Sequence, residues 1–131
     1  MINIENEIFT ECKKILTSEF EEIRVSSTFI NAKSKFPAVS IIEMDNSIAK
    51  DTIDSSLTEK YADIVYDVNS FSNKSKQEAK KIAKLVDEYL ISIGFTRKTL
   101  RLMETQDINL HRYVGRYTAR VSKEKKIYRS K

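Results

Sequence analysis

Carboxylates on two predicted strands are the side chains whose types and spacing come nearest to a catalytic arrangement. Strand alternation places Glu43 with Asp45 on one face, and Asp63 with Asp67 on another. Such a cluster could hold Mg²⁺ in a metal-dependent nuclease, which would also need a nearby lysine and a phosphate-binding element. No lysine follows either pair closely in its strand. Acidic residues on a strand face are usually solvated, so the nuclease stands as our third hypothesis.

The other reactive side chains have no partners at useful spacing. His111 is the only histidine, and a general base needs more around it than this sequence places there. Cys12 is the only cysteine, which excludes a disulfide framework and a cysteine-based metal site. The two glycines are too far apart for a phosphate-binding loop. We therefore expect a protein without enzymatic activity, metal or cofactor.

Residues 110–122 predict a strand with two contrasting faces. One face carries His111, Tyr113, Gly115, Tyr117, Ala119 and Val121, and the other carries Arg112, Val114, Arg116, Thr118 and Arg120. A strand that stacks RNA bases would need aromatic and basic side chains on one surface, and here they lie on opposite surfaces. We expect Tyr113 and Tyr117 to face a helix and the core. Arg112, Arg116 and Arg120 are expected to face an acidic neighbour or a lumen.

Charge is divided unevenly along the chain. Residues 1–73 hold 7 basic and 13 acidic side chains, whereas residues 74–131 hold 16 basic and 6 acidic ones. Three interpretations remain open. The basic half could bind nucleic acid, the two halves could associate head to tail between subunits, or the charges could simply be solvated.

Hydrophobic periodicity predicts two helices and about five strands in the order αβββαββ. The first helix is capped by Asn3 and runs to about Phe20. The second is capped by Ser75 with Glu78 and stops at Gly94, and Asp87 is placed on its solvent face. The predicted strands cover residues 22–29, 38–45, 61–73, 95–104 and 110–122, with a long connection at 46–60. This order indicates an α+β fold, with a mixed, mainly antiparallel sheet and both helices on one face, in a single domain spanning residues 1–131.

The strand at 38–45 is apolar on both parities, which indicates either a central strand or one that a partner subunit covers. On the second interpretation, Val39, Ile41, Glu43 and Asp45 are candidate contacts between subunits. The sequence shows no secretory signal and no apolar run long enough to cross a bilayer, so we expect a soluble protein made inside the cell.

The order and spacing of several stretches resemble a family of small proteins from tailed bacteriophages and related phage-tail-like particles of Gram-positive hosts. These are tail terminator or head–tail joining proteins. The stretches are Phe36-Pro37-Ala38-Val39, Glu43 with Asp45-Asn46, Tyr66-Asp67-Val68-Asn69, Phe71-Ser72-Asn73, Gly94-Phe95-Thr96-Arg97, Arg112-Tyr113, Arg116-Tyr117 and Ile127-Tyr128-Arg129. Phe71 departs from the family pattern, which would have an aromatic hydroxyl there. The connection at 105–109 also departs from it, being short and without proline.

The resemblance implies a mixed sheet packed on helices, and a structural subunit of a ring, commonly of six copies, with no catalytic residues. Such a ring terminates the tail tube and joins it to the head or collar. Its partners would be other copies of the chain, the tube protein, the sheath where the tail has one, and a head-completion or collar protein, with DNA passing non-specifically through the lumen. It would be assembled in the bacterial cytoplasm and located in the virion or particle. The alternative is a small basic nucleic-acid-binding protein that uses the C-terminal half.

Overall fold

The computed structural model describes residues 3–28, 36–48, 61–103, 110–122 and 127–129. The predicted α+β fold is confirmed. The elements are α1 (Glu5–Glu19), β1 (Arg24–Ser26), β2 (Ala38–Ile48), β3 (Tyr61–Ser72), α2 (Lys76–Ser92), β4 (Thr96–Met103), β5 (His111–Ser122) and β6 (Ile127–Arg129). Residues 49–60 of the predicted connection and the turn at 105–109 lie outside the described residues.

The strands form one mixed sheet in the order β1-β2-β3-β5-β4, and the short β6 pairs with β5 beyond the end of β4. Only the pairing of β1 with β2 is parallel, and the other pairs in the described part of the chain are antiparallel. β3 and β5 are the longest strands and pair along their full lengths. Their adjacency brings the side chains of residues 61–72 directly beside those of residues 111–122.

Both helices lie on one face of the sheet, as predicted. The buried side chains of α1 follow a four-residue spacing, Ile8, Cys12 and Leu16, which gives the helix one apolar stripe. That stripe joins Val39 and Ile41 of β2 and the alternate residues of β3 in the main core. Fully burying a side chain such as Leu16 stabilises the fold by about 1.5–3 kcal/mol.

α2 begins and ends as its sequence predicts. The Ser75 hydroxyl oxygen accepts a hydrogen bond from the backbone N–H of Glu78 at 3.1 Å, and Gly94 follows the helix with a positive φ of 115°. The second hydrogen bond of the predicted capping box, from the Ser75 backbone N–H to the Glu78 carboxylate, is not formed. The Glu78 carboxylate instead accepts a hydrogen bond from the Ser72 hydroxyl at 2.7 Å, which ties the helix start to the end of β3.

A bulge in β2 corrects the prediction that Glu43 and Asp45 share a face. Glu43 is opposite Tyr66 in β3 while Asp45 is opposite Val65, so Met44 is an extra residue in the ladder. One inserted residue reverses the faces of all those that follow it. Glu43 therefore lies on the helix side of the sheet, and Asp45 lies on the uncovered side.

No helix of the described ranges is long and apolar enough to cross a membrane.

Candidate functional site: the uncovered face of the sheet

The parity predicted for β5 is confirmed. Tyr113 and Tyr117 are buried beneath the helices, Tyr113 beside Ala79 and Ala83 of α2 and Tyr117 in the main core. Arg112, Arg116 and Arg120 alternate with them and lie on the opposite face. No described helix covers that second face.

The arginines of this face are bound by the neighbouring strand of the same chain. Arg120 donates to both carboxylate oxygens of Asp63, with the shorter bond at 2.9 Å from Nε. Arg116 makes the same two-bond contact with Asp67, at 2.8 and 3.1 Å. Two parallel N–H···O bonds to one carboxylate are the strongest geometry that an arginine offers. We call these two pairs, together with the Arg112 contacts described next, the arginine ladder.

Arg112 completes the ladder with a neutral partner. Its Nε and Nη2 atoms donate to Asn69 Oδ1 at 3.0 and 2.6 Å. Its guanidinium lies 5.7 Å from the centre of the Phe71 ring, and Phe71 in turn contacts Phe36. The guanidinium is thus held by an amide and an aromatic face, both of which suit a planar cation.

All the contacts of the arginine ladder lie within one chain. The sequence predicts that this face meets an acidic neighbouring subunit or a lumen, and that contact stays a prediction. Within the chain, Arg116 and Arg120 pair with aspartates of β3. Hydrogen bonding and charge attraction from Asp67 raise the pKa of Arg116, which is already fully charged at neutral pH. Asp45, Asp63 and Asp67 lie on the same face of the sheet as the three arginines, so the charge of that face is close to balanced. It is a column of acids beside a column of arginines, and not a row of unpaired cations.

The acids proposed for a nuclease site do not converge. Asp63 and Asp67 are bonded to arginines, and Glu43 lies on the other face. The single Ser47 hydroxyl donates to Asp45 and lies 2.9 Å from both carboxylate oxygens. Within the described ranges, no group of three or more histidine, cysteine, aspartate or glutamate side chains could hold a metal ion.

Val39 and Ile41 were expected to contact another subunit, and their burial does not allow it. Val39 is 0% and Ile41 1% exposed within the single chain, because both lie on the side of β2 that the helices cover. Of the two interpretations of this strand, the central one therefore applies to these residues. Asp45 is exposed, and the neighbouring Met44 is 45% exposed, so this part of β2 does present side chains to solvent.

Glu43 lies in a partly buried polar cluster on the helix side. Burial and the nearby Glu5 carboxylate raise its pKa, and the neighbouring polar groups of Asn46 and Tyr66 offset only part of that rise. The same surroundings act on Tyr66, whose pKa is raised by burial and by Glu43. The cluster places two acids, Glu5 and Glu43, at the junction of α1 and β2.

A second buried network was missed from the sequence. Asp87 is only 6% exposed, although it was placed on the solvent face of α2. It accepts a hydrogen bond from the Tyr117 hydroxyl at 2.8 Å and forms an ion pair with Arg97 at 2.9 Å, which joins α2 to β5 and β4. The four-residue series that buries Ala79 and Ala83 continues to Asp87, and that spacing is the signal that could have revealed it.

Tyr117 reaches Asp87 by lying across a glycine. A Cβ atom added to Gly115 would meet the Tyr117 ring at 2.8 Å and Leu100 Cδ1 at 3.2 Å. The absence of a side chain at position 115 therefore leaves the space that the tyrosine ring fills.

Comparison of the chain with protein-family models found no matching family, and comparison with curated proteins found no similar sequence.

The two flanks of the sheet differ in charge. α1 packs beside α2 on the β2 side, with Glu5 near Glu43, while α2 lies over β3 and β5 and approaches β4. Residues 3–28 contain six acidic and three basic side chains. β2 adds two acidic side chains and no basic one to this flank, whereas β4, at the opposite edge of the sheet, carries three basic side chains and no acidic one. The basic residues of α2 lie between these two edges, over β3 and β5. The two edges of the sheet therefore differ in charge.

Proposed function

We propose that the protein is a structural subunit of a homo-oligomeric ring that terminates the tail tube of a phage or phage-tail-like particle and joins it to the head or collar. The observation that carries the proposal is the placement of an acidic flank and a basic flank on opposite sides of one subunit. A ring needs two different surfaces that fit each other on successive subunits, and unlike charges supply such a pair.

The particle context is supported by the resemblance of the stretches between residues 36 and 129 to tail terminator and head–tail joining proteins. The α+β sheet with helices on one face agrees with the fold which that resemblance implies. The proposed partners are copies of the chain, the tube protein, the sheath where the tail has one, and a head-completion or collar protein. DNA would pass through the lumen, and we do not assign its contact to the arginine ladder, because those guanidinium groups are already paired.

The proposal is tested by the mass of the full chain in solution as its concentration rises. A closed ring predicts a mass that grows to a fixed multiple of the subunit and then stays constant. The attraction between unlike flanks also predicts that association weakens as salt is raised from 50 to 500 mM, roughly the range over which the screening length falls below 10 Å. A chain that remains monomeric at the highest soluble concentration and does not bind purified tail tubes would contradict the proposal.

The same preparation tests the nucleic-acid alternative. Phosphate binding through lysines and arginines is steeply salt-dependent, so a protein of that class would bind duplex or single-stranded DNA tightly at 50 mM salt and lose it at 200 mM. DNA binding of this kind by a chain that neither forms rings nor associates with tubes would favour the alternative over the ring.

A further inference from the structure

Each flank of the sheet ends in a strand edge that no other described strand covers. β1 pairs with β2 only at residues 38–40, so the outer edge of β2 has no described strand along residues 41–48. β4 pairs with β5 on its inner side, and no described strand lies on its outer side. An open edge presents backbone N–H and C=O groups that can pair with another chain.

The same two edges carry the large apolar side chains that are exposed in the described part of the chain. These are Met44 on β2, 45% exposed, and Leu102 on β4, 46% exposed. Each is accompanied by charge, Asp45 beside Met44 and Arg101 beside Leu102, and the two charges are opposite. An apolar side chain set among charges on a strand edge is typical of an association surface.

We propose that the open edge of β2 in one copy of this chain docks against the open edge of β4 in the next copy. This inference rests on the proposed ring and specifies the contact between its subunits. The free part of β2 and the whole of β4 are both eight residues long. If the sheet continues across the contact, the two strands run antiparallel, since β2 and β5 point one way and β3 and β4 the other.

The charges on the edges select this pairing over pairing of like edges. Two β4 edges would bring Lys98 and Arg101 against the same cations, and two β2 edges would bring Asp45 against Asp45. Both edges are also interrupted by a bulge, at residues 43–45 in β2 and 97–99 in β4, which disfavours indiscriminate strand addition. Opposite charge permits the unlike pair alone, and the unlike pair is the one that propagates around a ring.

Engineered cysteines distinguish the two kinds of pairing. Within one chain, positions 44 and 102 are three strand spacings apart across the sheet and are also offset along the strands, so they lie more than about 14 Å apart, which is too far for a disulfide. Cys12 is 1% exposed and burial raises its pKa to about 12, so its thiol does not compete. Under mild oxidation, an equimolar mixture of Met44→Cys and Leu102→Cys chains should form covalent dimers, and neither variant alone should do so. A chain with both changes should form a ladder of covalent oligomers.

Charge exchange provides a second readout that does not need a disulfide. Asp45→Arg should weaken association about tenfold or more by placing it against Arg101, and adding Arg101→Asp should restore association. Glu88→Arg makes the same change in charge on the solvent side of α2 and should have little effect.

The outcomes separate this contact from the ring itself. Mixed crosslinking together with restoration by the double charge exchange supports the contact. Rings that form normally, while the mixture does not crosslink and Asp45→Arg has no effect, would overturn the contact and leave the ring standing. Crosslinking of either single variant as strong as that of the mixture would replace it with a twofold contact between like edges. A wild-type chain that stays monomeric would overturn both proposals.

Discussion

Among single residues, Glu43 is a side chain whose ionised form is disfavoured by the folded structure. It lies between β2 and the start of α1, where burial and Glu5 raise its pKa. The folded chain therefore binds the proton of Glu43 more tightly than the unfolded chain does. Its contribution to stability is fully present below about pH 4.5, the ordinary value, and is lost as the pH rises through the raised pKa.

Glu43→Gln should therefore raise the free energy of unfolding at pH 7, by up to about 1 kcal/mol, since the site is partly solvated. It should also reduce the stability that the protein gains on acidification from pH 7 to pH 5. Denaturant unfolding at the two pH values measures both effects. Glu19→Gln, an exposed change at the end of α1, is the control. A variant that is less stable than the wild type at pH 7 would show that the carboxylate stabilises the fold.

The Asp87 network makes a prediction of the opposite sign. Tyr117→Phe removes the hydroxyl that donates to Asp87 at 2.8 Å and leaves a buried carboxylate with one partner fewer. The free energy of unfolding should fall by about 1–3 kcal/mol, the cost of an unmet buried hydrogen bond. Tyr89→Phe, on the same face of the core but outside this network, serves as the comparison. Equal losses from the two changes would mean that the bond to Asp87 contributes nothing particular.

At the scale of elements, the arginine ladder joins β3 to β5 on the face without helices. Its pairs are partly solvated, with the side chains of Arg116 and Asp63 each about half exposed. Ion pairs exposed to this extent contribute little to the free energy of unfolding, because water screens them. The ladder therefore fixes the positions of charges on the face more than it supports the fold.

Replacing Arg112, Arg116 and Arg120 together by serine should leave the chain folded, with only a small loss in the free energy of unfolding, because water screens these contacts. Circular dichroism and denaturant unfolding measure the outcome. Serine at Lys76, Lys80 and Lys84 removes the same charge from the outer side of α2 and should cost less. If the arginine variant does not fold, then the ladder is a requirement of the sheet.

The elements also show how far the sequence can be read. α2 could be predicted closely because its cap, its apolar period and its terminal glycine are all local signals. The faces of β5 could be predicted because alternation is also local. The partners of its arginines could not, because the adjacency of β3 and β5 joins residues about 40 to 60 positions apart. The bulge at Met44 could not be predicted either, because one extra residue reverses the faces of a strand without a recognisable change in the amino-acid composition of that strand.

At the scale of the whole molecule, the subunit has a covered face, an uncovered face and two flanks of opposite charge. The uneven charge is visible in the sequence, but its position in space depends on α1 lying on the β2 side and on β4 forming the opposite edge of the sheet. An asymmetric subunit of this kind suits contacts that repeat in one direction. It is this property, together with the resemblance to tail terminator proteins, that the ring proposal uses.

Locating the chain in an assembled particle would test the proposed ring at the end of the tail tube. Particles would be isolated from bacteria that produce the full chain with an affinity label, and the label would be imaged by electron microscopy. We predict a ring of labels at the head-proximal end of the tail tube. Labels distributed along the tube, or particles with complete tails and no label, would contradict the account.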